Sequence, residues 1–437
     1  NLTTNLLSFG LNTGVYRFYF KNNKREFQML SNTIIFFLLI VFLLSFLLII
    51  NPFSAWISEN IFNFGLSTSL IKISFLNGCL SFFYLFFIQI FLAKEKAILI
   101  SILYVIHALV NLGISTYLVL FQSMTFYALI YGIISANMLL LLIILFLNYR
   151  NIKLEFSLKK IRSVILFSYP QTLSLILSTV TSAFDRTMLV NYKSTTDVGN
   201  YEFGNRFSSI TRIISEAINR SWSPFFMINA EKNTQESLTD IINKFYIVFF
   251  IIATTALCVS YFSEEALIIL TTEGFHVAKF IVPFLVFQIF LGQIGYLSVN
   301  QIMVSEKLII NLPLTFLAMI LNIILNLILI PEYGVFGAVY ATSISGIFHS
   351  LVLFYFAQKV FPLPINYKKI SMLIIFVLFY LFLGYLCMYI NNFFIMKFLL
   401  KIFLIMMFLL TALLFGHFKL SDILKYISSM RFLKKYI

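Results

Sequence analysis

Long apolar stretches dominate this sequence and restrict its fold more than any other feature. A helix needs about 20 consecutive apolar residues to cross the hydrocarbon layer of a bilayer. Twelve stretches reach that length, near residues 31–50, 66–92, 97–121, 124–147, 161–190, 198–226, 241–261, 276–304, 308–330, 335–358, 370–390 and 394–416. We therefore expect an all-α polytopic membrane protein.

The composition excludes several other classes of protein. Only 11% of the 437 residues are charged, against about 25% in soluble domains. The three cysteines and the four histidines are scattered along the chain, which argues against a disulfide framework and against a metal site. Motifs for ATP hydrolysis or acyl transfer are absent from the sequence. We expect a chain that is not an enzyme and that uses no cofactor and no metal.

Basic residues are concentrated on one side of the predicted spans. The segments that follow alternate spans hold most of the 31 lysines and arginines. By the positive-inside rule that side faces the cytoplasm, and the C-terminus is expected to be cytosolic. The net charge of +14 is then a consequence of topology, and we expect no binding to nucleic acid.

The longer connections between spans predict four regions. They are an N-terminal transmembrane lobe over 1–147, a six-helix transmembrane lobe over 161–358, an accessory helix pair over 370–416 and a basic amphipathic cytosolic tail over 417–437. The tail is too charged to span, so it is expected to lie in the interface or to be frayed. Residues 2–15 are expected to end a helix that begins before the chain does, so that the first helix is missing.

One predicted span, 198–226, carries five ionisable residues. At about 100° per residue they share a face about 120° wide, and they are Glu202, Arg206, Arg212, Glu216 and Arg220. The opposite side is apolar and includes Ile210 and Ile214. The three deepest charges in lipid would cost on the order of 8–10 kcal/mol, and an exposed ion pair returns only about 0.3–0.5 kcal/mol. The face is therefore expected to line a hydrated cavity, the alternative being a buried charge network that locks helices together.

Other spans carry polar stripes that would face the same cavity. The candidate cavity residues outside the charged span are Asp185, Ser174, Ser178, Gln293, Asn322, Asn326 and Lys72. The alternative for the hydroxyl and amide residues is hydrogen bonding between helices. The alternative for Lys72 is extension to the membrane surface. Trp56 and Trp222 lie near span ends and are expected to be interface anchors.

Three segments together resemble the Wzx-type polysaccharide flippases of the MOP superfamily. The first, 169–227, reads YPQTLSLILSTVTSAFDRTMLVNYKSTTDVGNYEFGNRFSSITRIISEAINRSWSPFFM. The second, 321–348, reads LNIILNLILIPEYGVFGAVYATSISGIF, and the third, 10–20, reads GLNTGVYRFYF. The resemblance implies two pseudo-symmetric six-helix lobes of the MOP/MATE type, plus two extra C-terminal helices.

The resemblance also implies a substrate and a mechanism. The substrate would be an undecaprenyl-pyrophosphate-linked oligosaccharide, an O-antigen or capsule repeat unit, moved across the bacterial cytoplasmic (inner) membrane by alternating access. Membrane lipids, a proton or sodium ion as coupling ion and a polysaccharide polymerase are the partners expected with it.

The residues themselves suit such a substrate. Arginines hold pyrophosphate through paired N–H groups, which favours Arg212 first and then Arg206 and Arg220. Glu216 would separate the arginines or couple a cation. The sugars would meet two polar faces, formed by Asn322 with Asn326 and by Ser174 with Ser178.

Three other functions compete with this one. A MATE-type multidrug or cation antiporter would need an acidic cavity, whereas the charged span has three arginines against two glutamates. A membrane-embedded polysaccharide polymerase or ligase would need long outward loops, and the loops are short. A structural subunit without transport would have a dry charge network.

Overall fold

The computed structural model describes residues 10–60, 68–124, 126–149, 153, 155–389 and 394–414, and these residues contain helices and connections without a β-strand. The helices are α1 (Leu11–Lys21), α2 (Lys24–Ser45), α3 (Asn51–Asn60), α4 (Thr68–Ala93), α5 (Ala97–Gln122), α6 (Phe126–Asn148), α7 (Leu158–Tyr192), α8 (Thr195–Lys232), α9 (Gln235–Leu270), α10 (Ala278–Val304), α11 (Asn311–Tyr333), α12 (Val335–Val360), α13 (Tyr367–Cys387) and α14 (Phe394–Leu414). A π-helical segment, Phe46–Ile50, joins α2 to α3.

Eleven of the described helices are long and apolar enough to cross a membrane. They correspond to eleven of the twelve predicted spans, and the predicted all-α polytopic fold is confirmed. The twelfth predicted span lies within α8, which is 38 residues long. Its charged side chains make α8 too polar to count among the eleven membrane-spanning candidates. The predicted amphipathic tail, 417–437, lies outside the described residues.

Helix α1 extends further than the sequence indicated. It continues to Lys21, past the predicted end at residue 15, and it buries Arg17, which is 6% exposed. Gly10 precedes the helix with φ at 65°, a left-handed conformation that glycine adopts without strain. A Cβ at Gly10 would overlap with the carbonyl of Ser168, so a larger residue cannot take this place.

The contacts divide the chain into two compact units, unit 1 (1–179) and unit 2 (180–437). The boundary falls inside α7, after the loop in which the sequence placed the division between lobes. Unit 1 has an apolar core of buried side chains from α1, α2, α4, α5 and α6, together with the first turns of α7. Phenylalanines of α4, such as Phe82 and Phe86, lie at its centre with 2% and 0% exposure.

Unit 2 has its own aromatic core. Phe245, Phe249 and Phe290 stack in sequence across α9 and α10, and the last two have ring centroids 4.4 Å apart. Trp222 packs beside Phe245 and is only 4% exposed. The prediction that Trp222 anchors the chain at the membrane interface is therefore wrong, because the indole is buried among aromatic side chains of α8 and α9. Trp56 is exposed on α3.

The accessory pair, α13 and α14, packs against α9 in unit 2. The Tyr261 hydroxyl donates a hydrogen bond to the carbonyl of Tyr380 at 2.6 Å, and Phe250 stacks on Phe408 at 5.7 Å. Gly384 faces the Tyr261 ring so closely that an added Cβ would overlap with it. The pair is thus part of the core of unit 2.

Candidate functional site

Helix α8, the charged helix, packs through small polar residues. Ser194 caps its start by accepting a hydrogen bond from the backbone N–H of Asp197 at 3.2 Å. Its buried stripe consists of Ser208, Thr211, Ser215 and Asn219, with exposed fractions between 0% and 7%. Small side chains let membrane helices approach closely.

The apolar side of α8 is largely exposed. Ile210 and Ile214 have exposed fractions of 43% and 36%. Small hydroxyl residues form the close helix contact, and the bulky aliphatic ones remain outside it.

The arginines of α8 lie on its outer side in unit 2. Arg206 and Arg212 are exposed, and Glu216 and Arg220 are half-buried. Ile213, which is 63% exposed, interrupts the charged face. On the neighbouring helix α10, the phenol of Tyr296 lies within electrostatic range of both Arg212 and Glu216. We call these residues (Arg206, Arg212, Glu216, Arg220 and Tyr296) the arginine face.

Glu202, near the start of α8, has a different partner. Its carboxylate pairs with Arg186 at 2.6 Å, and the two side chains are 29% and 55% exposed. Exposed ion pairs of this kind contribute about 0.2–1 kcal/mol. This pair ties the end of α7 to the start of α8.

Asp185 is the centre of a buried polar cluster in unit 2. Its carboxylate, 2% exposed, accepts hydrogen bonds from Asn326 at 2.6 Å, from Thr342 at 3.1 Å and from Tyr201 at 3.2 Å. Asn326 also donates to Asn322 at 3.0 Å. The cluster therefore joins α7, α8, α11 and α12, and we call these five residues the Asp185 cluster.

The Asp185 cluster has unused hydrogen-bonding capacity. Within the described residues, Oδ1 of Asn326 and Nδ2 of Asn322 are buried without a hydrogen-bond partner. A buried carboxylate held only by neutral donors carries a desolvation penalty that a proton or a small cation would offset. The oxygen atoms gathered here are of the kind that hard cations prefer. The described residues contain no group of three or more His, Cys, Asp or Glu that could hold a metal.

The other predicted cavity residues of unit 2 are buried and make hydrogen bonds within the protein. Gln293 of α10 is 1% exposed and makes hydrogen bonds with Ser215 and, at 3.2 Å, with Asn219, so it connects α10 to α8. Asn322 and Asn326 are 0% exposed and belong to the Asp185 cluster, so neither amide is open to a ligand in this conformation.

The remaining three candidates belong to unit 1. Ser174 is buried and donates to the carbonyl of Pro170 at 3.0 Å, while Ser178 is exposed and donates to the carbonyl of Ser174 at 2.8 Å. Lys72 is half-buried and donates to Asn51 at 2.7 Å. The polar stripe of α7 thus directs much of its hydroxyl bonding to its own backbone.

A second charged cluster was missed by sequence reasoning. Lys401 of α14 is 0% exposed and pairs with Glu265 at 2.6 Å and with Glu264 at 3.2 Å. Glu264 also pairs with Lys279 at 2.8 Å and with Lys397 at 3.0 Å. We call these five residues the lysine–glutamate cluster. A lysine inside an apolar span and two adjacent glutamates near the end of another were the signals that could have revealed it.

The fold and the site together define a multi-pass helical membrane protein with ionisable side chains placed on and between its spans. Two solved structures share the fold. An outward-facing multidrug resistance MATE family transporter of the MOP superfamily superposes with a TM-score of 0.65 at 11% identity, covering 85% of this chain and 85% of that one. The lipid II flippase MurJ, in an inward closed conformation, superposes with a TM-score of 0.63 at 18% identity, covering 94% of this chain and 89% of that one.

The family model described as polysaccharide biosynthesis protein matches residues 1–229, and the chain belongs to this family. A curated relative, the probable low-salt glycan biosynthesis flippase Agl15 of Haloferax volcanii, is 24% identical over 221 residues. The match covers 49% of this chain and 46% of that protein, so the chain spans about half the length of the curated relative it matches. The resemblance predicted from the three segments is confirmed, and none of these relatives is named as an enzyme.

Proposed function

We propose that this chain is a flippase that moves a lipid-linked oligosaccharide across the bacterial cytoplasmic membrane. The proposed substrate is an undecaprenyl-pyrophosphate-linked O-antigen or capsule repeat unit. The family supports transport of a glycan intermediate. The arginine face is the observation that carries the proposal for this chain, since it offers cationic groups to an anionic headgroup at membrane depth.

The chemistry of the arginine face suits a pyrophosphate. A guanidinium group presents paired N–H donors that match phosphate oxygens, and it remains charged at every relevant pH. Arg206 and Arg212 are exposed, which a sealed charge network would not allow. If both lay in lipid, each would carry a penalty of about 2.5–3.5 kcal/mol, so contact with water or with the headgroup is the favourable alternative. Glu216 and Tyr296 would orient the guanidinium groups.

Coupling to a proton or a sodium ion forms part of the proposal. The Asp185 cluster supports it, because a buried carboxylate surrounded by neutral oxygen atoms would bind either cation. The cluster joins four helices, so its occupancy would alter how these helices pack. Membrane lipids and a polysaccharide polymerase are the further proposed partners, and the C-terminus is proposed to face the cytosol.

The MATE-type antiporter remains the alternative because that fold is shared. Its cationic substrates would meet a face on which three arginines outnumber one glutamate, which opposes binding by charge repulsion. A drug-efflux assay with cationic dyes tests it directly. Efflux by cells that carry the chain, and none by cells that lack it, would favour the antiporter.

The test of the flippase proposal is Arg212→Ala in a full-length protein that otherwise exports its repeat unit. Undecaprenyl pyrophosphate serves as the binding probe for purified protein, and accumulation of lipid-linked repeat units reports transport in cells. We expect binding to weaken by about tenfold or more, since charge-assisted hydrogen bonds contribute about 1.5–3 kcal/mol, and repeat units to accumulate.

Two variants complete the experiment. Arg212→Lys keeps the charge without the paired donors, so it is expected to retain part of the activity. Arg162→Ala removes an exposed arginine of α7 outside the arginine face, and it is expected to behave as wild type. Normal binding and export by Arg212→Ala at wild-type protein levels would refute the proposed role.

A further inference from the structure

Unit 1 contains a cavity that the arginine face does not account for. Its volume is about 460 Å³, within the range of about 300–1,000 Å³ that is typical of small-ligand pockets. Its walls come from α1, α2, α4 and α6 together with Asn22, which connects α1 to α2. The contributing ends of α1, α4 and α6 are followed in the sequence by basic residues, so the positive-inside rule places the cavity towards the cytoplasm.

Aromatic rings form one part of the cavity wall. Tyr19, Phe20 and Phe27 line it, along with Phe87 from α4. Tyr19 meets Phe20 and Phe27 edge to face, with ring centroids 5.2 Å and 5.0 Å apart. These contacts hold the rings in fixed orientations. Rings held in this way offer flat apolar surfaces against which the C–H faces of a pyranose ring can pack.

Amide side chains form the other part of the cavity wall. Asn22, Gln28, Asn32 and Asn148 all line the cavity, and each amide carries both donors and acceptors. The amide nitrogen of Asn148 donates to the carbonyl of Ile144 at 2.9 Å, which fixes the direction of its oxygen. A sugar hydroxyl also donates and accepts, so a set of amides can satisfy neighbouring hydroxyls in both senses.

The charge of the lining selects among ligand classes. Among the described residues that line the cavity, Lys94 is the one ionisable cation, and it lies exposed at the end of α4. A phosphate or a phospholipid headgroup would call for several cationic or backbone N–H donors. The four aromatic rings, four amides and single lysine of the described lining suit instead a neutral sugar, or one that carries a single acidic group.

We propose that this cavity, formed by α1, α2, α4 and α6, is a saccharide-binding subsite that holds sugars of the oligosaccharide on the cytoplasmic side. The subsite rests on the proposed function for its biological role, and it shares no residue with the arginine face, which would hold the pyrophosphate. Two binding regions of different chemistry would let the protein recognise the glycan as well as its anionic carrier.

The test uses purified full-length protein in nanodiscs, with di-N-acetylchitobiose and maltotriose as soluble probes. Saturation-transfer NMR and a binding titration measure contact and affinity. Tyr19→Ala removes a stacking surface, and Gln28→Leu removes an amide at similar volume. We expect each to weaken binding of at least one probe by about tenfold. Tyr117→Ala, at an exposed tyrosine of α5 outside the cavity, is the matched control and is expected to bind as wild type.

The outcomes separate this proposal from the proposed function. Saccharide binding that survives Arg212→Ala but is lost in Tyr19→Ala and Gln28→Leu supports the subsite, even if export of lipid-linked repeat units proves independent of the chain. If every variant binds saccharide as the wild type does, the subsite is overturned, even if Arg212→Ala stops export. It is also overturned if neither the wild type nor any variant binds saccharide. The subsite is also overturned if the protein binds no saccharide but retains anionic phospholipid, and Tyr19→Ala abolishes that retention.

Discussion

The lysine–glutamate cluster provides the sharpest stability prediction. Lys401 is completely buried, and its ammonium group pairs with Glu265 at 2.6 Å and with Glu264 at 3.2 Å. Lys401→Met replaces it with an apolar side chain of similar length. The change leaves Glu265, whose side chain is 11% exposed, without this partner, while Glu264 keeps two other lysines.

The expected loss of stability follows from the burial of the Lys401–Glu265 ion pair. Removing one partner of a buried ion pair costs about 3–5 kcal/mol, because the remaining charge stays desolvated. We therefore expect Lys401→Met to lower the free energy of unfolding by about 3–5 kcal/mol and to loosen α14 from α9. Adding Glu265→Leu removes the uncompensated charge, so the double variant is expected to recover much of the loss.

The assay is equilibrium unfolding in detergent micelles, followed by the fluorescence of the buried Trp222. Lys397→Met is the matched control, since it leaves Lys279 and Lys401 on Glu264 and its own side chain is 14% exposed. It is expected to lose clearly less stability than Lys401→Met. Equal midpoints for the two variants, or no recovery in the double variant, would refute the reasoning.

Two further predictions concern packing and coupling. Gly384→Ala places a Cβ against the ring of Tyr261 and is expected to cost about 1–3 kcal/mol of unfolding free energy. Gly113→Ala is the control, since nothing lies within 4 Å of its added Cβ, and it is expected to cost none. Equal unfolding midpoints for the two variants would contradict this. Asp185→Asn removes the buried charge at constant shape, so the protein is expected to fold while transport in proteoliposomes no longer responds to a proton or sodium gradient. A response equal to that of wild type would exclude Asp185 from coupling.

The spans could be predicted because length and hydropathy are properties of the local sequence. The direction in which α8 packs could not be predicted in the same way. The charge pattern placed Ile210 and Ile214 opposite the charged face without showing which residues pack, and in the structure Ser208 and Thr211 are buried while Ile210 and Ile214 are exposed. Inside a membrane an aliphatic side chain gains little by leaving lipid, so small size decides the contact.

The partners of buried charges lie beyond what periodicity can show. Asp185 was a candidate from its position on a polar stripe. Its hydrogen-bond partners Asn326 and Thr342, however, come from helices more than a hundred residues away in the chain. Lys401 and Glu264 are likewise 137 residues apart. Such pairs follow from the tertiary fold. In the sequence, only the presence of an ionisable residue in an apolar span indicates them.

The most direct test of the central claim measures hydration of the arginine face itself. Ile213→Cys, in a background with Cys79, Cys258 and Cys387 replaced by alanine, places a thiol between the arginines, and Ile324→Cys places one at an exposed position of α11 that serves as the comparison. A membrane-impermeant maleimide is applied to protein in nanodiscs. The account predicts labelling at residue 213 that undecaprenyl pyrophosphate suppresses, with little labelling at residue 324. Equal, substrate-independent labelling at the two positions would contradict it.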